Sequence, residues 1–595
     1  MENWNGNDRN SFTAKISLHD AVEYFWPPFE SATQRGNVKS IMCSYNSVSL
    51  DGAGEIPSCA WKWFQMDVMH QEWNWNGFIV SDCGAIADIN VGHHYVNNMS
   101  AAAAAGILAG TDLNCGGVYA DGNFVNAVNE GLMTLSDIAS SGLRFLNVVF
   151  ATGLMDPPSR VSYNTYGPEK VDSLSSRKLA LEAAIQGIAL LANEKTSTPW
   201  GNGQYLLPLQ EDALKGKTIA VIGPNSNSTA LLSIYIGSNT VVSNQSVLQS
   251  LQRRGAFAGF TVTTSLGCSW TCTSTDGFAA ASATASSADL IILVMGLYPG
   301  GGGTIPDGGP TQEDEGFDRT EITLPGNQAQ LVSTIAAIGK PLVLLLIHGG
   351  PIALDTTALN LPAIVDAHYP GEMGGDAVTH VLFGDSSMAG SGRITTTIYP
   401  PEFVNQRNMS DYELAPHGNV PGITHMYYDP EEAQWPFGFG ISYTNFTFQW
   451  LNTSFSSSDI SVISASKLAK GDIPPFAVNV TNIGSFTSDI TALAFVSTSI
   501  PGEPLQKLFD FQRASAIQPG ESRILSFTLT PQVASTVMPD GARILKANSK
   551  LYIKIGDVPR RSQNEQIGSR VYATLLLEDD ENEVIVVTRA LPPRY

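Results

Sequence analysis

Gly77-Phe78-Ile79-Val80-Ser81-Asp82-Cys83-Gly84-Ala85 is the stretch on which the reading of the first domain turns. An apolar run stops abruptly at a Ser-Asp pair and gives way to small residues. A buried strand that delivers one carboxylate to the rim of a sheet or barrel reads this way. Far downstream lies a second acidic cluster, Glu313-Asp314-Glu315-Gly316-Phe317-Asp318-Arg319. One carboxylate at a strand end and another in a loop are the pair that retaining displacement at a glycosidic carbon requires.

Outward from that strand, helix and strand signals alternate. Residues 20–30 read as a helix ending near Pro27-Pro28, 38–45 as a strand, 60–73 as an amphipathic helix and 101–109 as an Ala-rich helix before Ala109-Gly110-Thr111-Asp112. Such alternation predicts parallel strands with helical crossovers, and polar strand ends suit a (β/α) barrel. We expect this barrel domain over 1–155 and a Pro/Ser/Tyr/Gly-rich linker over 156–176. A helix is predicted over 175–193. Apolar runs at 218–223, 290–295, 342–347 and 363–367, with a helix at 328–338, predict strands buried on both faces in an α/β sandwich over 177–400. An irregular, aromatic-rich connecting segment is expected over 401–470. After Pro474-Pro475 the pattern becomes strict alternation, as in Phe476-Ala477-Val478-Asn479-Val480. This predicts a small β-sandwich of the fibronectin type III kind over 471–595. The expected fold class is therefore multidomain, α/β plus β.

A chain of 595 residues exceeds what one core supports. Its formal net charge is -22, and no basic stripe exists for a phosphate backbone, so nucleic acid is not an expected partner. No apolar run reaches membrane-spanning length. The six cysteines lie near one another in sequence as Cys43 with Cys59, Cys83 with Cys115 and Cys268 with Cys272. Together with sequons at Asn98, Asn227, Asn244, Asn408, Asn445, Asn452 and Asn479, they predict a secreted protein, although residues 1–6 carry no signal-peptide pattern. His93-His94 is a tempting metal pair. Adjacent side chains point apart, however, and no ligand spacing supports a site, so neither metal nor cofactor is expected.

Six motifs now stand in a fixed order. They are Ser40-Ile41-Met42-Cys43-Ser44-Tyr45-Asn46, Val80-Ser81-Asp82-Cys83, Ala109-Gly110-Thr111-Asp112, and Glu315-Gly316-Phe317-Asp318-Arg319 with Leu324-Pro325-Gly326-Asn327-Gln328. Tyr369-Pro370-Gly371-Glu372-Met373-Gly374-Gly375 and Trp435-Pro436-Phe437-Gly438-Phe439-Gly440-Ile441-Ser442-Tyr443-Thr444 complete the set. Through nearly its whole length the chain resembles glycoside hydrolase family three, and within it the secreted fungal β-xylosidases. That resemblance implies a barrel, an α/β sandwich and a fibronectin-like domain. It implies Asp82 as nucleophile, for which a helix N-cap is the structural alternative. It places the acid/base at Glu315, with Glu313 as the alternative, and puts Tyr45 in the sugar site. Asp112 suits a structural loop role, and Asp318 with Arg319 a local ion pair. The xylosidase-like members carry Cys after the nucleophile. A Cys83–Cys115 disulfide would then stiffen the pocket floor against a hexose hydroxymethyl, whereas two free thiols or other pairings are the alternatives.

The resemblance implies a retaining exo-β-glycosidase, a β-xylosidase acting at the non-reducing ends of xylo-oligosaccharides. Within the family, α-L-arabinofuranosidase and β-glucosidase are the alternatives. Outside enzymes, the alternative is a non-catalytic carbohydrate-binding or degenerate fragment. Glu2-Asn3-Trp4-Asn5-Gly6 resembles the segment just after the family's Lys-His motif, so the chain reads as N-terminally truncated and its barrel as incomplete. If 1–595 is the whole product, a weakly folded first domain and little activity are expected. Two further departures are Ala192, where the family usually has lysine, and insertions at 268–272 and 299–310. Both insertions are expected near the acid.

Overall fold

The computed structural model describes residues 9–195, 205–232, 245–300, 305–309, 312–315, 319–451, 455, 460–559, 569–579 and 584–588. The segment 2–6, Asn244, Asn452, Asp318 and part of the 299–310 insertion lie outside the described residues.

In the first domain six short strands, β1 (Thr13–Ile16), β2 (Ser40–Cys43), β3 (Ser47–Leu50), β4 (Ile56–Pro57), β5 (Phe78–Ser81) and β6 (Thr111–Leu113), form two three-stranded sheets. One has the order β1-β3-β4. The other is parallel, with β5 between β2 and β6. Among the described residues these strands do not close into a ring, as the incomplete-barrel reading anticipates. Trp26, Trp61, Trp63, Trp73 and Trp75 crowd the core beneath them. Aromatic bulk of this kind fills space that a short aliphatic side chain would leave empty. Pro27 and Pro28 do not end a helix: they open one, Pro27–Gln34, because proline at the first helical position lacks only an N–H that would be unpaired anyway. Residues Trp63–Glu72 are helical with π-type pairing.

The second domain is a six-stranded sheet of β7 (Ala189–Asn193), β8 (Thr218–Ile222), β9 (Thr261–Ser265), β10 (Leu290–Gly296), β11 (Leu342–Ile347) and β12 (Ala363–Asp366), in the order β7-β12-β11-β10-β8-β9. All neighbours are parallel except β7 against β12. Strand residues point alternately to opposite faces. Ile291, Leu293, Met295, Leu342, Leu344 and Leu346 accordingly enter one core, and Leu290, Ile292, Val294, Val343, Leu345 and Ile347 enter the other. This two-sided burial is what the continuous apolar runs predicted. One expectation is corrected here. The helix ends at Gly187, and 189–193 form the antiparallel edge strand β7, every residue of it buried. Its Ala-Leu-Leu-Ala run suits a helix or a buried strand equally by composition, and only the neighbouring β12 decides.

Between these two domains lie three exposed single turns, Pro158–Arg160, Ser162–Thr165 and Pro168–Lys170. The C-terminal part is a β-sandwich of a three-stranded and a five-stranded sheet around one apolar core. It also takes in Phe446–Trp450 and Ile460–Ser464, which precede residue 471.

Candidate active site

Asp82 immediately follows β5, at the end where the parallel sheet delivers its chain to the surface. Its N–H donates to Cys43 O at 3.0 Å, which continues the β2 pairing by one residue and fixes where the carboxylate emerges. The side chain is half-buried, and its Oδ1 accepts from the Cys83 N–H at 2.6 Å. The next helix, Ala85–Val91, is capped by Gly84 in the left-handed region without any side-chain cap bond. The Asp82 carboxylate is therefore not used as a helix cap. Below it, Ser81 Oγ accepts from the Cys115 N–H at 3.0 Å, and Cys83 is joined to Cys115. Cys43–Cys59 ties down the preceding strand, and Cys268–Cys272 closes a third loop. All three neighbouring cysteine pairs are bonded, and Asp82 ends a strand paired with the bridged β2 and directly precedes the bridged Cys83.

Tyr45 lies over this rim. Its hydroxyl donates to Cys83 O at 3.0 Å. Burial, and then a hydrogen bond and repulsion from the Asp82 carboxylate, push its phenol up to about 12, so it stays a neutral donor. The tempting His93 turns out to serve this tyrosine: Nε2 donates to Tyr45 O at 2.7 Å and Nδ1 lies 2.9 Å from Ser47 Oγ. Asp112 has the structural role expected. It holds the Ile79 N–H at 3.1 Å, the Ser141 hydroxyl at 2.8 Å and the Arg144 guanidinium at 2.7 Å, with no exposed side-chain surface.

Parallel strands of the second domain all end on one edge, where ligands gather in open α/β sheets. The loop after β10 carries Glu313 and Glu315, β11 runs into His348-Gly349-Gly350, and β12 into Ala367-His368-Tyr369. The two acids are placed very differently. Glu313 is half-buried and saturated with donors: the Gly349 N–H at 2.8 Å, the Gly350 N–H, and the Tyr369 hydroxyl at 2.6 Å. Burial and then the charge of Glu313 raise the Tyr369 phenol, which keeps it a donor. Glu315 is exposed, and its Oε1 accepts from Arg9 Nη1 at 2.7 Å. Arg9 also stacks 5.0 Å above the Tyr45 ring. Asp82, Tyr45, Arg9 and Glu315 thus form one connected chain across two domains.

The two insertions brace each other behind this loop. Trp270 O accepts from Gln312 Nε2 at 2.7 Å and from Gln328 Nε2 at 3.0 Å, while Asp307 receives the Thr271 N–H at 3.0 Å. Arg319 turns away from solvent and donates to Thr323 O at 2.7 Å and Pro351 O at 3.3 Å. Its expected partner Asp318 lies outside the described residues. Of the sequons, Asn98, Asn227, Asn408 and Asn445 are exposed and Asn479 is half-buried on a sandwich strand. Asn98 also caps the helix Met99–Ala109 by accepting the Ala101 N–H at 2.8 Å. Sequence reasoning missed Arg9 and the Gly349-Gly350 pair, and it placed Tyr369 in a motif without giving it a role. The signal present was a strand followed by His-Gly-Gly, a backbone free to present N–H groups. Among the described residues no helix is long and apolar enough to cross a membrane.

Comparison with known proteins adds the following. The model of the glycosyl hydrolase family 3 N terminal domain matches residues 7–148, and that of the family's C-terminal domain matches 188–443. The probable exo-1,4-beta-xylosidase xlnD of Neosartorya fischeri is 35% identical over 537 residues, covering 88% of this chain and 64% of that protein. The exo-1,4-beta-xylosidase bxlB of Emericella nidulans is 34% identical, covering 92% of this chain and 68% of that protein. The probable bxlB of Aspergillus clavatus is 32% identical over all of this chain and 72% of its own length. The chain thus spans 64% to 72% of the length of these relatives. Among solved structures, a GH3 exo-beta-xylosidase (XlnD) in complex with a xylobiose aziridine activity-based probe superposes with a TM-score of 0.82 at 29% identity, over 99% of this chain and 72% of that one. A beta-glucosidase from Listeria innocua, at 22% identity and a TM-score of 0.76 over 95% of this chain and 71% of its own, shares the fold.

Proposed function

The chain belongs to glycosyl hydrolase family 3, and on that premise we propose that it is a retaining exo-β-xylosidase that releases xylose from the non-reducing ends of xylo-oligosaccharides. Asp82 attacks the anomeric carbon to form a covalent glycosyl-enzyme, while Glu315 gives its proton to the leaving oxygen. Glu315 then takes a proton from water, which displaces Asp82 and restores the β configuration. Tyr45 orients Asp82 and donates to it as negative charge returns in the second step. The observation that carries this reading is the Arg9 bridge, which ties Glu315 to the tyrosine standing over Asp82. Glu313, with both oxygens engaged as acceptors, supports the loop instead. The chemistry needs no cofactor.

In this reading residues 1–155 present the nucleophile, 156–176 link, 177–400 present the acid/base, 401–470 connect and 471–595 form the fibronectin-like domain. Xylose lacks the hexose hydroxymethyl, and the Cys83–Cys115 bridge beside Asp82 supports a pocket floor that leaves no room for one. Three disulfides and exposed sequons support secretion.

The test is labelling with a 2-fluoro-β-xyloside, followed by peptide mapping, with nitrophenyl β-xyloside, α-L-arabinofuranoside and β-glucoside assayed on the same sample. Label on Asp82 with preferred xyloside turnover is the expected result. Preferred turnover of either other glycoside would reassign the substrate. No label and no turnover would replace the enzyme with a carbohydrate-binding protein.

A further inference from the structure

β11 and β12 run side by side in parallel and end together, with Leu346 paired to Asp366. The chain just past them is pinned by a backbone bond from the His348 N–H to His368 O at 3.3 Å. Three side chains therefore meet behind the Glu313 clamp. Asp366 Oδ1 lies 3.0 Å from His348 Nε2 and 3.5 Å from His368 Nδ1. The ligand atoms of all three residues lie within 4.8 Å of one another. The His348 and Asp366 side chains are 1% and 0% exposed, and His368 is 31% exposed.

A simple buried ion pair explains part of this arrangement, since one imidazole can neutralise one carboxylate. It leaves the rest unexplained. Two imidazoles converge on one carboxylate, whose Oδ1 also accepts the His368 N–H at 3.1 Å while Oδ2 has no hydrogen bond. A buried polar atom left without a partner is destabilising. A cation placed among the three would engage the inward-facing atoms together. Zinc binds imidazole nitrogen and carboxylate oxygen at about 2.0–2.2 Å, so tetrahedral donors sit about 3.3 Å apart. The observed 3.0 and 3.5 Å separations straddle that spacing.

We propose that His348 Nε2, Asp366 Oδ1 and His368 Nδ1 bind one divalent transition-metal ion of the zinc type, entering past the partly exposed His368. The two-histidine, one-carboxylate donor set selects zinc or cobalt over calcium and magnesium. The ion is structural: no step of glycoside hydrolysis passes through it. Its effect is local, because Gly349 and Gly350, which hold Glu313, follow directly on His348.

The test uses the untagged full-length chain, stripped with chelator and titrated with Co2+ while visible absorption is followed. The expected result is one equivalent of Co2+ with the intense bands of a low-coordinate site, displaced by Zn2+ and accompanied by a higher Tm. His368→Asn should weaken Co2+ binding about a hundredfold or more while the chain stays folded by circular dichroism. His348→Gln gives a second reading from the buried side, and His417→Gln, at a half-buried histidine remote from the cluster and paired with Asp411, should leave binding unchanged. No stoichiometric uptake by the wild-type chain, or equal uptake by His368→Asn, would overturn the site and leave a buried ion pair.

Discussion

Only Asp314 separates Glu313 from Glu315, and the hydrogen bonds around them divide the work. Glu315 faces the site through Arg9, whereas Glu313 closes a clamp of two glycine N–H groups and the Tyr369 hydroxyl. Glu315→Gln should therefore leave turnover of an aryl xyloside with a good leaving group nearly intact. On xylobiose, which needs leaving-group protonation, it should lower kcat by about 10²–10⁴. Glu313→Gln should lower Tm and slow both substrates alike, since it loosens the loop without removing the acid. Steady-state kinetics on the two substrates separates these outcomes. At Tyr45, Tyr45→Phe removes the one donor shared between Cys83 O and the Asp82 carboxylate. Such a bond contributes about 1.5–3 kcal/mol, so kcat should fall roughly tenfold to a hundredfold with no change in melting. The place of Asp82 just past a strand end was legible in sequence, because an apolar run stops there; its proposed role came from the family resemblance. Arg9 was not legible, because its meaning depends on Glu315, a residue brought to it only by domain packing.

Among the elements, the strands with continuous apolar runs were the most readable: 342–347 was anticipated at both ends, because each of its residues is buried whichever way it points. The helix expected over 175–193 was misread at its end for the same reason, since an Ala-Leu-Leu-Ala run carries no period that separates helix from buried strand. The sandwich's first strand, Phe446–Trp450, was also unreadable, because its partner Phe476–Asn482 comes later in the chain. The short helix Thr424–Tyr427 carries a pH prediction. His425 stacks on Phe437 at 4.4 Å, and burial holds its imidazole down at about 4 against the ordinary 6.5. Between those values the unfolded chain binds a proton that the folded chain refuses. The stability His425 permits is therefore complete above the ordinary value and falls as pH drops toward 4, by at most about 3 kcal/mol. His425→Gln should flatten that part of the Tm-against-pH curve.

At the scale of the whole molecule, two of the contacts that hold the first domain to the rest are ionic and bear predictions. Glu23, 1% exposed, reaches Lys507 at 2.9 Å and Arg543 at 3.6 Å on the C-terminal sandwich. Removing one partner of a buried ion cluster strands the others, at a cost of about 3–5 kcal/mol. Glu23→Ala should accordingly shift the urea midpoint down and open the first domain to protease, while the sandwich core keeps its protection. The second contact is the Arg9–Glu315 bond, and it ties the proposed chemistry to the spacing between two separately folded bodies. Proton donor and nucleophile behave like the two halves of a press, whose output depends on alignment before it depends on the strength of either half. Low urea, which parts domains before it melts them, should abolish xyloside turnover while circular dichroism is still native. Coincident loss of the two signals would mean that the halves never separate, and turnover would then report only on unfolding.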